Sequence, residues 1–260
     1  MDYNKAIKFL YRLSTKLNKF YRLNSNKKLV INNKSKKKKI FNPVTNFDKN
    51  FEKMIRTNII KSFPNDGIIG EEFKEKKSKN DNCWIIDPID GTKAFVAGLP
   101  TWSNLVGLLY KKKSILGMAN FPDLKKTYIS YNNISLSIEK KGKKKLKTKN
   151  LTNFKKLKIF CNFHNKKKNL KYYNKLNKLN KHISRITLDA FSYCLLAEGK
   201  IDAVIESDLK IYDVAAIVPI IENAGGLITT WNNKNAENGG NILATSNKKL
   251  HYKLLKILKR

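Results

Sequence analysis

The chain has 260 residues and a formal net charge of +34, from 54 Lys and Arg residues against 20 Asp and Glu residues. Its 41% hydrophobic content can fill the core of a folded domain, which argues against wholesale disorder, and no apolar run reaches the roughly 20 residues that cross a bilayer. Three widely separated cysteines without a C-x-x-C pair favour neither a disulfide framework nor a zinc site, so we expect a soluble cytoplasmic protein.

The first part of the chain predicts two helices followed by a sheet. Residues 4–22 carry apolar side chains at helical spacing, and the basic segment 26–39 predicts a surface loop or an edge strand. A second helix is predicted over 46–62, where an apolar stripe follows Pro43 and a capping threonine. From residue 67 the sequence changes to short strands separated by turns. One apolar run, 83–86, stops abruptly at an Asp-Pro pair, as a buried strand does.

The second part of the chain is less informative at first. Residues 125–185 are rich in Lys and Asn, and we expect only that they contain strands and a helix. Beyond them TLDAFSYCLLAEG predicts a helix, DAVIE a strand and YDVAAIVPIIENAGG another helix, in which Pro219 imposes a kink or a displaced start before Gly225 and Gly226 end it. Strands at GLITTW and NILAT and a terminal helix over 247–258 follow.

Acidic residues are scarce, and several of them lie in apolar surroundings away from the lysines. Glu71 and Glu72 follow GIIG, Asp87 and Asp90 lie in DPIDGT, and Asp213 opens a predicted helix. Carboxylates without accompanying His or Cys ligands suit hard cations, and Mg²⁺ prefers oxygen ligands with phosphate in its coordination shell. The acidic motifs therefore indicate a magnesium and phosphate site.

The DPIDGT motif combines metal-ligand and phosphate-binding features. Pro88 fixes a bend that can direct both aspartates to one point, and Gly91 and Thr92 offer backbone N–H groups to a phosphate. The same D-P-x-D-G pattern is also an ordinary turn sequence, and the Glu-Glu pair would suit a surface as well. Taken one at a time, these motifs leave both interpretations open.

Four motifs in a fixed order carry a family resemblance. They are V-T-x-x-D (Val44–Asp48), G-E-E (Gly70–Glu72), W-x-x-D-P-I-D-G-T (Trp84–Thr92) and Y-D-x-A-A…E-x-A-G-G (Tyr212–Gly226). The order resembles the inositol monophosphatase superfamily over most of the chain outside 125–185. DGTKAFVAGLPTWSNLVGLL and ESDLKIYDVAAIVPIIENAGGLITTW are most similar to its histidinol-phosphate phosphatases, because the inositol enzymes usually carry Trp where this chain has Tyr.

The resemblance implies an α/β (α+β) fold, a layered αβαβα sandwich, and a site that holds two or more Mg²⁺ ions. The implied metal ligands are Glu71, Asp87, the carbonyl of Ile89, Asp90 and Asp213, with Asp48 at a further, weaker metal position. The implied catalytic residues are Glu71, Thr92 and Asp90. The N–H groups of Gly91 and Thr92 are implied to hold the phosphate. Glu72 is implied to support the metal ligands without binding the metal itself. Two metal ions fit the chemistry, since they can bridge phosphate oxygens and acidify a water nucleophile.

Substrate recognition is expected from two further carboxylates. Glu206 lies where the inositol enzymes contact a substrate hydroxyl, and Asp189 lies in LDAFSY. Histidinol phosphate carries an amine and an imidazole, which two carboxylates would complement. Asp189 could equally be an acid at the N-terminus of a helix or one that caps it. The lysine that the family carries shortly before V-T-x-x-D can be placed only within the run Lys34–Lys39.

We therefore expect a single domain, 1–260, in which 1–124 carries most metal ligands and 125–260 completes the site, assembled as a homodimer. Its expected reaction is the Mg²⁺-dependent hydrolysis of L-histidinol phosphate by metal-activated water, in histidine biosynthesis. An inositol or other sugar monophosphate phosphatase is the alternative. A basic nucleic-acid-binding protein on a decayed phosphatase scaffold is a remote one, because 49 of the cationic residues are Lys and only five are Arg, the residue that makes bidentate phosphate and base contacts. We expect no membrane partner.

Overall fold

Two helices precede the sheets, as the apolar spacing predicted. A computed structural model describes residues 3–33, 43–150, 156–163, 172–177, 183–184 and 188–259. Helix α1 spans Tyr3–Asn24 and helix α2 spans Asn46–Ser62, which confirms both predicted helices. Between them β1 (Ile31–Asn33) pairs antiparallel with β2 (Pro43–Thr45), so the predicted edge strand is present. The lysine run 34–39 lies outside the described residues.

A seven-stranded sheet forms the first β layer. Its spatial order follows the chain: β3 (Gly67–Gly70), β4 (Asn82–Asp90), β5 (Ser103–Tyr110), β6 (Lys113–Phe121), β7 (Lys126–Tyr131), β8 (Ile134–Glu139) and β9 (Gly142–Lys145). Only β3 and β4 are parallel, and the short helix α3 (Thr92–Val96) follows β4. The sheet continues past residue 124, as far as Lys145, and the subdivision of the chain into 1–124 and 125–260 stays a prediction.

A five-stranded sheet forms the second β layer. Its spatial order is β11 (Ile183–Ser184), β10 (Ile159–Asn162), β12 (Ala203–Leu209), β14 (Gly240–Thr245) and β13 (Leu227–Thr230). The remaining helices are α4 (172–177), α5 (Ala190–Ala197), α6 (Ile211–Val214), α7 (Ile217–Glu222) and α8 (Lys248–Lys259). The expected strands and helix of 125–185 are therefore present, and the rest of that segment lies outside the described residues.

The layers stack in the order helix, sheet, helix, sheet, helix. Helices α1 and α2 cover one face of the large sheet, where Leu10 and Phe51 pack with Trp84. The middle layer of α5 and α7 packs between the sheets, with Ala119 on one side and Ile242 on the other. Helix α8 covers the outer face of the small sheet. The chain therefore has the layered αβαβα fold expected of it, and no helix in its described parts is long and apolar enough to span a bilayer.

The predicted helix over YDVAAIVPIIENAGG is broken into α6 and α7. Pro219 has no N–H, and its ring displaces the carbonyl of Ala215, four residues earlier, from helical hydrogen bonding. That carbonyl instead accepts a hydrogen bond from Ser114 Oγ on β6, at 2.8 Å. The proline therefore interrupts the helical hydrogen bonds while Ala215 and Ala216 keep helical backbone angles, and a second helix starts at Ile217, which is the displaced start that the sequence predicted. The break joins α6 to the large sheet.

Two glycines of the large sheet make room for this break. Gly107 and Gly117 are cross-strand partners on β5 and β6. A Cβ atom on Gly117 would lie 2.0 Å from the carbonyl oxygen of Ala216, and one on Gly107 would lie 2.9 Å from its nitrogen. Because both positions lack a side chain, the break lies directly on the sheet and places Asp213 of α6 beside the end of β4.

Candidate active site

The carboxyl end of β4 carries the first two carboxylates of the site. Pairing between β4 and β5 is irregular from Asp87 to Asp90, so this turn leaves the regular ladder. Both side chains are less than a tenth exposed. The N–H of Ile89 donates to Asp87 Oδ1 at 3.0 Å, and the N–H of Ala190, at the start of α5, donates to Asp90 Oδ2 at 2.8 Å. Each carboxylate is thus held by a backbone donor.

Asp213 brings a third carboxylate to the same point from the opposite end of the chain. Its Oδ2 accepts a hydrogen bond from the N–H of Lys210 at 2.6 Å, which caps α6. One oxygen from each of Asp87, Asp90 and Asp213 lies within 4.8 Å of the others. Three carboxylates at this separation form a compact all-oxygen donor set.

The pKa values of this cluster are raised by burial and mutual repulsion. Burial raises the pKa of Asp87 and of Asp90 well above the usual range, and the charges of Glu71 and Asp189 respectively add to the effect. Burial also raises the pKa of Asp213 to about 6. The ionised cluster is therefore unfavourable by itself, and a divalent cation between these oxygens would relieve the repulsion.

Asp48 lies at the start of α2, and its two carboxylate oxygens differ in their hydrogen bonding within the described residues. Its Oδ2 accepts from both the N–H and the hydroxyl of Thr45, each at 2.6 Å, in a capping box. Among the described residues, Oδ1 has no hydrogen-bond partner although it is buried. Burial raises the pKa of Asp48 to about 6. A buried carboxylate oxygen without a partner fits a cation ligand, and the donor chemistry of the site suits a hard divalent metal.

The turn after β4 presents backbone groups beside the cluster. The hydroxyl of Thr92 donates to the carbonyl of Ile89 at 3.0 Å, whereas the Ile89 side chain is buried in the core. Gly91 has a φ of +78°, and a Cβ atom there would lie 2.7 Å from Asp189 Oδ2. Glycine is therefore required at this turn both by the backbone conformation and by the close approach of a carboxylate.

Asp189 lies at the N-terminus of α5 and also contacts the DPIDGT turn. It is the N-cap residue of α5, as the alternative interpretation expected of a helix N-terminal acid, but among the described residues its side chain makes no capping hydrogen bond. Its φ of +48° is a conformation that non-glycine residues rarely adopt, with a cost of about 1–3 kcal/mol. The strained backbone places the carboxylate over Gly91 and near Asp90.

Glu206 is a buried carboxylate on β12, and sequence reasoning missed the residue that holds it. The hydroxyl of Tyr193, on α5, donates to Glu206 Oε2 at 2.9 Å, and both side chains are 3% exposed. The strand register shifts after Glu206, so β12 is irregular at this point. Burial and the Glu206 charge raise the pKa of Tyr193 well above 10, so the phenol remains a donor.

The loop after β3 carries the predicted acidic pair Glu71 and Glu72, and a second missed residue holds it. Glu52 of α2 is fully buried, accepts a hydrogen bond from the N–H of Glu72 at 2.7 Å, and pairs with Arg56 Nε at 2.7 Å. A Cβ atom on Gly70 would lie 2.1 Å from Glu52 Oε1. The signal in the sequence was an acid four residues before an arginine beside the apolar stripe of a helix.

The sequence of this chain matches a known protein family over nearly its whole length. The model of the inositol monophosphatase family matches residues 2–260. The chain belongs to the inositol monophosphatase family. It is thus a phosphatase of a metal-dependent family that acts on small phosphorylated substrates, and the acidic cluster of Asp87, Asp90 and Asp213 is consistent with that class.

Several curated relatives of this family member are phosphatases. The chloroplastic bifunctional phosphatase IMPL2 of Arabidopsis thaliana is 35% identical, over 74% of this chain and 56% of that protein, so the chain spans little more than half its length. The histidinol-phosphatase of Chlorobaculum parvum is 28% identical over 79% of each chain. The fructose-1,6-bisphosphatase/inositol-1-monophosphatase of Aquifex aeolicus is 28% identical over 84% of this chain and 82% of its own.

Solved structures show the same fold. An inositol monophosphatase from Zymomonas mobilis superposes over 100% of both chains with a TM-score of 0.82 and 24% identity. An IMPase/NADP phosphatase complexed with Mg²⁺ and phosphate covers 98% of this chain and 95% of its own, with a TM-score of 0.80 and 19% identity.

Proposed function

We propose that this family member is a Mg²⁺-dependent phosphomonoesterase that hydrolyses L-histidinol phosphate to L-histidinol and phosphate. The observation that carries the proposal is the presence of two further carboxylates beside the acidic cluster, Glu206, which is buried, and Asp189, which is partly exposed. Asp189 lies over Gly91, and Glu206 is held by Tyr193. These acids suit a leaving group that carries positive charge, because a cation beside a buried carboxylate is stabilised strongly.

The proposed metal ligands are Glu71, Asp87, the carbonyl of Ile89, Asp90 and Asp213, with Asp48 at a further position. The compact cluster supports this set, as does Asp48 Oδ1, which has no hydrogen-bond partner in the described parts of the chain. A divalent cation would withdraw charge from the phosphate oxygens and lower the pKa of a nearby water molecule. The related structure that carries Mg²⁺ and phosphate supports magnesium as the metal.

We place the phosphate at the turn after β4, where Gly91 and Thr92 can present their N–H groups. The Thr92 hydroxyl donates its proton to the Ile89 carbonyl. Its oxygen is therefore oriented to accept a hydrogen bond, which suits the positioning of an attacking water. Glu71 is the proposed second residue acting on that water, and Glu72 supports the loop behind it.

Histidinol phosphate is preferred over a neutral polyol phosphate on electrostatic grounds. Its amine and imidazole would meet Asp189 and Glu206, whereas an inositol ring offers only hydroxyl groups to the same carboxylates. Relatives named histidinol-phosphatase support this substrate. The reaction would then belong to histidine biosynthesis.

The test is a steady-state assay of the purified protein with Mg²⁺ on histidinol phosphate, inositol 1-phosphate and fructose 1,6-bisphosphate. We expect the highest kcat/KM with histidinol phosphate and, for Glu206→Gln, a KM about tenfold higher on that substrate because a buried ionic contact is lost. Asp208→Asn, an exposed change on the same strand, is the matched control and leaves kcat and KM unchanged. A preference for either other substrate overturns the assignment.

Two further parts of the proposal have their own measurements. We propose a homodimer, which sedimentation of the purified chain would show as a mass of twice 30.0 kDa. We also propose that the +34 charge serves no specific nucleic-acid partner. Tight, salt-sensitive binding to arbitrary duplexes without phosphatase activity would instead support the nucleic-acid alternative.

A further inference from the structure

A row of buried polar side chains crosses the large sheet and ends at the candidate active site. Asn104 on β5 lies opposite Asn120 on β6, which lies opposite Thr127 on β7. Asn104 and Asn120 are completely buried, and Thr127 is 5% exposed. Burying such groups in a sheet is costly unless every one is hydrogen-bonded, and an apolar residue would fit these positions without that requirement.

Each hydrogen bond within this row is donated toward β4, and Asn120 Nδ2 also donates to Asn18 Oδ1 on α1 at 2.9 Å. The Thr127 hydroxyl donates to Asn120 Oδ1 at 2.8 Å, Asn120 Nδ2 donates to Asn104 Oδ1 at 3.0 Å, and Asn104 Nδ2 donates to the carbonyl of Pro88 at 2.7 Å. A peptide carbonyl can only accept, so it determines which end of the Asn104 amide faces it. That orientation in turn determines the orientation of Asn120.

The row ends on the peptide that holds a carboxylate of the metal-binding cluster. Asn104 lies on β5 between Ser103, the partner of Asp90, and Leu105, the partner of Asp87, so it faces the irregular stretch of β4. The peptide that joins Pro88 to Ile89 accepts from Asn104 through its carbonyl and donates from its N–H to Asp87 Oδ1 at 3.0 Å. One peptide plane therefore connects the buried row to Asp87, because rotation that breaks one hydrogen bond also breaks the other.

We propose that Asn104, supported by Asn120 and Thr127, is a positioning residue that orients Asp87 for metal binding. Between Asp87 and Asp90, where β4 and β5 lose their regular backbone pairing, the Asn104 side chain supplies a hydrogen bond between the two strands. The amide groups are hydrogen-bonded in series, so each one polarises the next toward the carboxylate. This inference rests on the proposed metal site. It goes beyond that site because none of the three side chains belongs to the cluster.

The test measures the binding of Mn²⁺ alone to the metal-free full chain, by titration calorimetry at pH 7.5. Asn104→Leu removes the donor to the Pro88 carbonyl, and we expect about tenfold or greater weakening, as for residues that hold metal ligands elsewhere. Thr127→Val keeps the shape and removes the hydroxyl, with an expected weakening of about threefold. Thr127→Ser restores the hydroxyl and the wild-type affinity.

The matched control is Ser135→Ala, on β8 of the same sheet. Ser135 is fully buried, and its hydroxyl lies 2.9 Å from both Ser130 Oγ and the carbonyl oxygen of Ile220, so the loss of this hydroxyl disturbs packing away from the site. We expect wild-type Mn²⁺ affinity from this variant. The amide proton of Ile89, followed by NMR without metal, shifts upfield in Asn104→Leu and not in the control, because its hydrogen bond weakens.

The outcomes separate this proposal from the metal site on which it rests. If the wild type binds no Mn²⁺, the metal site and the positioning role both fall. If the wild type binds Mn²⁺ and folded Asn104→Leu binds it equally tightly, only the positioning role is overturned. Should Asn104→Leu fail to fold, Thr127→Val decides, and wild-type affinity in that isosteric variant overturns the role of the row.

Discussion

Replacing Asp90 by Asn should stabilise the metal-free protein while it weakens metal binding. Three carboxylate oxygens lie within 4.8 Å of one another, and two unit charges at that distance repel by about 3.5 kcal/mol at an effective dielectric constant of 20. The pKa of Asp213 rises from 3.8 to about 6, chiefly because of burial and further because of neighbouring charges, which corresponds to about 3 kcal/mol. Burial and repulsion together therefore make each charge in this cluster unfavourable.

The substitution keeps the local hydrogen bond in weaker form. The N–H of Ala190 can still donate to the amide oxygen of Asn at position 90, at a cost of about 1 kcal/mol for the lost charge. We therefore expect Asp90→Asn to raise the free energy of unfolding by about 2 kcal/mol in EDTA at pH 7.5. Urea denaturation followed by circular dichroism measures this difference, with Asp208→Asn as an exposed control that changes nothing.

Magnesium should reverse the order of stabilities. The wild type gains about 2.7 kcal/mol when Mg²⁺ is present at 100 times its dissociation constant, whereas Asp90→Asn gains much less because a ligand is missing. The pKa of these acids is raised in the folded state, so the folded wild type takes up protons and gains stability as the pH falls from 7.5 to 5. The advantage of Asp90→Asn in EDTA should then shrink by about half. A variant no more stable than the wild type in EDTA at pH 7.5 would refute the electrostatic reasoning.

Three further predictions concern the framework around the site. Gly117→Ala should lower the free energy of unfolding by about 3 kcal/mol and reduce kcat, because the new methyl group meets the carbonyl of Ala216 at 2.0 Å in the absence of movement; denaturation and the phosphatase assay check both. Burial lowers the pKa of His251 to about 4, while an unfolded histidine titrates near 6.5, so the unfolded chain binds the proton first and stability is lost as the pH falls. Between pH 7 and 5 this amounts to about 2 kcal/mol, measured as the difference in pH dependence between the wild type and His251→Gln. Glu52→Ala should cost about 3 kcal/mol of stability and lower the activity with Mg²⁺, because Arg56 and the N–H groups of the acidic loop lose their partner; urea denaturation in EDTA separates the two effects.

Each of these predictions has a contrasting result. Gly98→Ala adds a methyl group in open space at a φ of +71°, so it should cost only about 1 kcal/mol; an equal loss at both glycines would contradict the packing argument. Identical acid sensitivity of the wild type and His251→Gln would show that the imidazole is not the responsible group. If Glu52→Ala has the same activity as the wild type per mole of folded protein, the acidic loop needs no support from α2.

Local patterns in the sequence determined most helices and strands and part of the site. Apolar spacing predicted α1 and α2, and the apolar run 83–86 predicted the regular part of β4, because periodicity and turn residues report local backbone geometry. The strand does not stop at the Asp-Pro pair, as was predicted, but continues irregularly to Asp90. Asp87 and Asp90 could be paired from the sequence alone, since they are three residues apart on one turn. The family motifs added Asp213. The sequence between Asp90 and Asp213 contains no feature that predicts that these two residues lie close together.

Only the tertiary structure decided how distant parts of the chain complete the site. The sequence predicted that Pro219 interrupts a helix. Only the structure shows that Ser114 donates to the carbonyl of Ala215, which the proline leaves without a helical partner, and that Gly107 and Gly117 leave space for the interrupted helix. The support of Glu206 by Tyr193 and the row from Thr127 to Asn104 depend on strand register and on layers meeting across the molecule. A sequence records which side chains share a face of one element, whereas the partner of a buried polar group is set by packing between elements far apart in the chain.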